Sequence, residues 1–179
     1  MKRALILFMV SAANFPATLL PQQKLTATNL PAFLARYDTN FGPLQAVFKD
    51  LASENLPLTD ETGQPLSRRP MEDRLLALTN LRQTGRQLAA KPDDLVLAAT
   101  LVIRTESMAD DLFDLSQVAY DNDREELGKQ LGILQATMEE NKELLADYLL
   151  ALAAEKQNRL QQLEKEVDEL HQKLKQGTK

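Results

Sequence analysis

The chain has 179 residues, of which 44% are hydrophobic, so it is long enough and apolar enough for one folded domain with a core. It contains no cysteine, which excludes a disulfide framework, a thiolate metal site and a cysteine nucleophile. Its formal charge of −5 disfavours a nucleic-acid partner, and its few glycines and aromatic residues favour an all-α fold.

The first 20 residues have the layout of a secretory signal. Lys2 and Arg3 precede an apolar run from Ala4 to Val10, and small residues follow it. This run is shorter than the roughly 20 apolar residues of a membrane span, so we expect no stable span unless the segment stays uncleaved. We predict a secreted or periplasmic protein. Two alternatives remain open: an organelle transit peptide, or an N-terminal core helix, which would make the protein cytoplasmic.

The first helical pattern runs from about residue 29 to Glu54. Thr28 or Asn29 is suited to cap it, and Pro31 falls in the first turn, where a missing N–H costs little. Gly42-Pro43 is predicted to break or kink this segment. The following stretch, NLPLTDETGQPLSRRP, contains three prolines and predicts an irregular connection or a small surface hairpin.

Two more helices are predicted in the middle of the chain. One extends from Met71 to Ala90, and Lys91-Pro92-Asp93-Asp94 ends it and starts the next. The later helix opens with LVLAATLVI, nine residues without a charge, which predicts a segment that is apolar on nearly all sides and lies at the centre of the fold. Seven residues then recur at spacings of three and four, as in helix bundles: Ala98, Leu101, Thr105, Met108, Leu112, Leu115 and Ala119.

The last predicted helix, from Asp123 to Gln176, is much longer than the others. Asn122 and Glu125 are a plausible capping pair for it. At 1.5 Å per residue, a helix of about 54 residues reaches roughly 80 Å, whereas the other predicted helices reach about 30 to 40 Å. The end of this helix must therefore fold back, extend into water or bind a partner. Its first half carries an apolar stripe suited to the bundle: Leu131, Leu134, Met138, Leu145, Leu149 and Leu152.

The second half of this helix carries a two-heptad coiled-coil seam. The sequence predicts three parts: a signal segment at 1–20, a bundle of three or four helices at 28–152, and a coiled-coil extension at 153–179. The extension is the predicted site of self-association or of binding to a protein partner. An antiparallel contact with residues 32–54 of the same chain is the alternative. The seam residues follow at spacings of 3, 4, 3 and 4: Leu160, Leu163, Val167, Leu170 and Leu174.

Candidate metal and catalytic residues do not form a recognisable site in the sequence. Glu106, Asp110 and Asp114 recur every four residues, which is typical of a solvated helix face. The acidic turn at 121–125 lacks the glycine and distal glutamate of a calcium-binding loop. His171 is the only histidine, which is too few for a di-iron bundle or a multi-histidine zinc site. We therefore expect no metal, no cofactor and no enzymatic activity, and an enzyme ranks third among the functions considered.

The stretch LTNLRQTGRQ, from Leu78 to Gln87, resembles the LTxxQ element of the small helical periplasmic stress chaperones, with Arg82 in the place of the glutamine. This resemblance implies a role in holding unfolded or apolar clients. The main prediction is an exported, non-enzymatic protein with a structural, scaffolding or protein-interaction role. A helical chaperone or client-binding protein is the alternative.

Overall fold

The described residues form a bundle of helices with one helix much longer than the rest. The computed structural model describes residues 24–53, 58–60, 63–64, 66 and 68–177. The signal segment predicted at 1–20 lies outside these residues. No helix within the described ranges is long and apolar enough to cross a membrane. The helices are α1 (Leu30–Thr39), α2 (Phe41–Ala52), α3 (Arg68–Ala90), α4 (Leu95–Asp121) and α5 (Glu125–Gly177).

The predicted all-α bundle with a long C-terminal helix is confirmed. Helices α1 and α2 belong to one predicted segment, which is broken as expected but at Asn40 rather than at Gly42-Pro43. Pro43 is the third residue of α2, and the N–H groups of a first turn have no partner within the helix. The proline therefore fits inside the start of the helix, and the break lies before it.

The backbone of residues 58–60 pairs with Gln64 and Leu66, as in the small hairpin that the sequence offered as one interpretation of this connection. The Leu66 N–H donates to the Leu58 carbonyl at 2.7 Å, and the Asp60 N–H donates to the Gln64 carbonyl at 2.8 Å. Gly63 has a φ of +77°, a conformation that glycine adopts without a steric cost.

Asn122 holds this hairpin against the end of α4, which corrects its predicted role as a cap of the last helix. Its Oδ1 accepts from the Thr59 N–H at 2.9 Å and from the Thr59 hydroxyl at 2.7 Å. Its Nδ2 donates to the Thr59 and Val118 carbonyls. Both polar atoms of the side chain are thus engaged with residues that precede Asn122, so none of these bonds reaches the first turn of α5.

Helices α4 and α5 pack as an antiparallel pair. The Ser116 hydroxyl donates to the Gly128 carbonyl at 2.9 Å near the turn, and the Tyr148 hydroxyl donates to the Pro92 carbonyl at the other end. Asp94 begins α4 by accepting from the Val96 and Leu97 N–H groups. The seam predicted for α4 is buried at every position: Ala98, Leu101, Thr105, Met108, Leu112, Leu115 and Ala119.

The charge-free opening of α4 is not at the centre of the fold, and here the prediction was wrong. Ala98 and Leu101 are buried, but Val96 is 74% exposed and Ile103 is 65% exposed. Helix α4 packs against α3 and α5, which cover only part of its circumference. An uncharged run shows that a helix tolerates burial on all sides, but neighbouring helices decide which sides are buried.

Tyr37 joins α1 to the α4–α5 pair through a buried hydrogen bond. Its hydroxyl lies 2.7 Å from the Thr105 Oγ1 and 3.8 Å from the Met138 sulfur. Because the Thr105 hydroxyl donates its own proton to the Leu101 carbonyl, Tyr37 is the donor to Thr105. Burial raises the pKa of Tyr37, so its hydroxyl keeps the proton that this bond needs.

Candidate functional site

The environment of α5 changes after residue 153. Tyr148 and Leu152 are buried against the bundle, whereas every residue from 154 to 176 is exposed. The Lys156 ammonium lies 3.5 Å from the Asp93 carboxylate, just before the first residue of α4. Because α4 runs antiparallel to α5 and begins at Leu95, it cannot cover α5 much beyond this point. Residues 154–176, which we call the tail, extend about 35 Å at 1.5 Å per residue.

The five seam residues predicted from the sequence lie on this exposed tail. Their spacing places them on one face of the helix, which we call the tail stripe. The tail is exposed throughout its described length, and it does not show the alternative arrangement, a packed contact with residues 32–54. The exposed fractions are 62% for Leu160, 40% for Leu163, 49% for Val167, 58% for Leu170 and 69% for Leu174.

The charged residues beside the tail stripe define its two edges. Taking Leu160 as heptad position a and Leu163 as d, Arg159 and Glu166 occupy g positions, and Glu164 and His171 occupy e positions. These four side chains are exposed as well. The surface is therefore an apolar line with charges of both signs beside it.

The acidic residues considered as metal ligands are distributed along an exposed face of α4. Glu106, Asp110 and Asp114 are exposed, and the Asp111 carboxylate binds the Arg74 guanidinium at 3.1 Å. Among the residues that the structure describes, no group of three acidic, histidine or cysteine side chains could hold a metal ion. His171 lies on the exposed tail.

The LTNLRQTGRQ stretch lies in α3 and contributes a polar link to α1. Arg82 donates from Nε and Nη2 to the two carboxylate oxygens of Asp38, both at 3.0 Å, and its guanidinium carbon lies 5.8 Å from the centre of the Phe41 ring. Arg86 lies 3.6 Å from the same carboxylate. The hydrogen bonds from Arg82 lower the pKa of Asp38, so this side chain stays ionised.

Sequence analysis did not identify Asp38 as a partner of Arg82. The available signal was the spacing of Arg82 and Arg86, which are four residues apart and therefore share one face of the predicted helix. Two cations on one face favour a nearby carboxylate. The sequence has many carboxylates, however, and only the packing of α1 against α3 selects Asp38.

Comparisons with known proteins provide no relative from which a function could be transferred. No protein-family model, curated protein or solved structure matches this chain. The function is therefore inferred from the chain's own surfaces, of which the tail stripe is the most clearly formed.

Proposed function

We propose that this protein is an exported, non-enzymatic scaffold whose tail joins it to a second copy of the chain in a parallel coiled coil. The observation that supports this most directly is the tail stripe, an apolar seam exposed on a helix that continues out of the bundle. The proposed export rests on the N-terminal sequence pattern.

The tail can associate without forming a new first helical turn, because it continues a helix that is already formed. An isolated helix of fewer than about 12–15 residues is marginal in water, since its first turn is costly to form. In α5 that cost is met by the packing of residues 125–153 against α4. Two heptads that would be too short as a free peptide can therefore act as a docking element here.

The charges beside the stripe are complementary in a parallel pair. Position g of one helix faces the following e position of its partner, so Arg159 would face Glu164 of the second copy. Glu166 would face His171 in the same way. Both contacts occur twice in a symmetric dimer, and neither places like charges opposite each other.

The expected dimer is weak. Two copies bring about ten half-exposed apolar side chains together, each contributing about 1 kcal/mol on burial of its remaining surface. Association costs about 4–15 kcal/mol in lost translational and rotational freedom. The balance corresponds to dissociation in the micromolar range or weaker. Such a dimer forms when several copies are held close together, which suits a scaffold.

Replacing two seam residues with lysine tests this proposal. In the Leu163→Lys/Leu170→Lys variant, charges enter the seam while helix propensity is nearly unchanged. Light scattering from tens to several hundred micromolar protein should show a mass that rises towards that of a dimer for the wild-type chain and stays at that of a monomer for the variant. Circular dichroism should show the same helical content for both chains. A matched control, Gln161→Lys/Gln172→Lys, adds the same charge away from the seam and should remain a dimer.

Two results would contradict self-association through the seam, and a third would contradict its parallel direction. A wild-type chain that is monomeric at these concentrations would remove self-association and leave client binding as the next function to test. A control variant that dissociates as fully as the seam variant would show that net charge, rather than the seam, governs association. An antiparallel pair would be recognised by cross-links between the tail of one copy and the opposite end of the other tail.

A further inference from the structure

A cleft lies between α1 and α3, on a part of the bundle that the proposed scaffold role does not use. Its volume is about 290 Å³, which is close to the lower end of the range for small-molecule sites. Apolar residues of α1 and α3 and the first residue of α2 form most of its lining, with three charged side chains among them. The apolar part of the lining includes Leu34, Phe41, Gly85 and Ala89, and the charged residues are Asp38, Arg82 and Arg86.

Gly85 keeps this cleft open. It lies in the interior of α3 and is buried, yet no atom of another helix lies within 4 Å of the position that a Cβ would take. Glycine in a helix interior costs about 1 kcal/mol relative to alanine. The packing of the described residues does not require glycine here, and the effect of its missing side chain is to leave space in the cleft.

The charges in the lining favour a monoanion. Two guanidinium groups face one carboxylate, so the cluster carries a net charge of +1. Arg82 is engaged by Asp38 through two hydrogen bonds, whereas Arg86 makes a single longer contact of 3.6 Å and its side chain is 70% exposed. The planar guanidinium of Arg86 can therefore donate two parallel hydrogen bonds to the carboxylate of a ligand. Asp38 would repel a second negative charge at the same place.

We propose that this cleft binds a small amphipathic monocarboxylate, with its apolar body over Gly85 and its carboxylate on Arg86. The apolar body would contact Leu34, Phe41 and Ala89. This binding is independent of the tail, so its failure and the failure of self-association can be observed separately.

Octanoate is a suitable probe, and 1-octanol is its neutral counterpart of the same chain length. Titration should be followed at the amide signal of Gly85 in the full-length protein, because that signal reports on the cleft and not on the tail. For a ligand of about ten non-hydrogen atoms we expect saturable binding with a Kd of about 0.1–1 mM. Octanol should bind more weakly by roughly tenfold, since it lacks the charge-assisted hydrogen bonds to Arg86.

Two variants test separately whether ligand binding needs the open space at Gly85 and the charge of Arg86. Gly85→Leu should abolish the binding of both probes because its side chain fills the cleft. Arg86→Gln should weaken octanoate by roughly tenfold and leave octanol unchanged. Lys49→Gln removes an exposed cation from α2, away from the cleft, and should bind both probes like the wild type.

Three results would overturn the proposal. The first is the absence of a saturable shift at Gly85 with octanoate. The second is equal affinity for octanoate and octanol together with no effect of Arg86→Gln. The third is wild-type binding in a folded Gly85→Leu variant. If Gly85→Leu loses helical content, Ala35→Phe replaces it, because Ala35 is exposed at the cleft and its larger side chain can enter without disturbing the core.

Discussion

At the scale of single residues, the link between Asp38 and Arg82 shows how a partly exposed pair contributes to the fold. The two side chains are 31% and 32% exposed, so solvent screens their attraction. Their bidentate geometry still joins α1 to α3, and Arg86 adds a second cation to the same carboxylate. The contribution of the pair depends on the charge of Asp38 and therefore on pH.

Replacing Asp38 with asparagine should lower the free energy of unfolding by about 1 kcal/mol at neutral pH. The pKa of Asp38 is lowered in the folded protein, so its contribution is complete above the unfolded-state pKa and is lost as the pH falls through the folded one. The difference between wild type and Asp38→Asn should therefore be constant above about pH 5 and should shrink as the pH falls below about 4. Urea unfolding at pH 7 and pH 3 measures it.

The matched control for this measurement is Asp168→Asn, which removes a carboxylate from the exposed tail. Its unfolding free energy should differ little from that of the wild type at either pH. A difference for Asp38→Asn that persists unchanged at low pH would show that the side chain stabilises the fold by packing and not by its charge.

At the scale of helices, two glycines with the same local conformation have different surroundings. Gly85 in α3 borders the cleft, with no atom of another helix within 4 Å of a Cβ position. Gly128 in α5 lies under Tyr120, whose ring atoms would be 2.8 to 2.9 Å from an added Cβ. Gly132 lies one turn further along α5, where an added Cβ would be 3.8 Å from the Ser116 hydroxyl oxygen, so Gly128 is where the approach is tight.

Alanine at the two positions should therefore have different effects. Gly85→Ala should raise the free energy of unfolding by about 0.5–1 kcal/mol, because alanine restricts the unfolded chain and meets no obstacle. Gly128→Ala gains the same propensity, but the Tyr120 ring must move, so its net effect should be smaller or destabilising. Urea denaturation of both variants compares them directly. Equal stabilisation would mean that the Tyr120 ring moves aside at no cost.

Helix α5 is one continuous helix, but its two parts have different surroundings. Its sequence predicts one continuous helix, and the structure has one from Glu125 to Gly177. Its first part is ordered by α4, and its tail lies beyond the reach of that partner. The tail remains helical in the structure because each new residue adds a backbone hydrogen bond to turns that already exist.

At the scale of the whole molecule, the two proposed roles use two separate surfaces of the same chain. The tail stripe would bring copies together, and the cleft between α1 and α3 would bind a small ligand. Both proposals concern the folded part of the chain, whereas the compartment in which it works depends on the first residues.

Export is tested by fusing residues 1–30 to a reporter that is active only outside the cytoplasm. We expect activity, because Lys2 and Arg3 precede an apolar run of the length typical of a signal segment. A matched fusion with Leu5→Asp and Leu7→Asp interrupts the apolar run and should be inactive. Reporter activity that is confined to the cytoplasm with the unaltered segment would contradict export.

The sequence by itself determined the helical class, the position of most helix ends and the apolar face of α4 and α5. These properties are local: helix propensity, the Asp94 cap and the spacing of apolar residues act within a few turns of the chain. Contacts between distant residues were decided only by the tertiary structure. Asp38 meets Arg82, and Thr59 meets Asn122, across separations of 44 and 63 residues. The exposure of Val96 and of the tail stripe also depends on where neighbouring helices begin and end, and no local pattern in α4 or α5 contains that information.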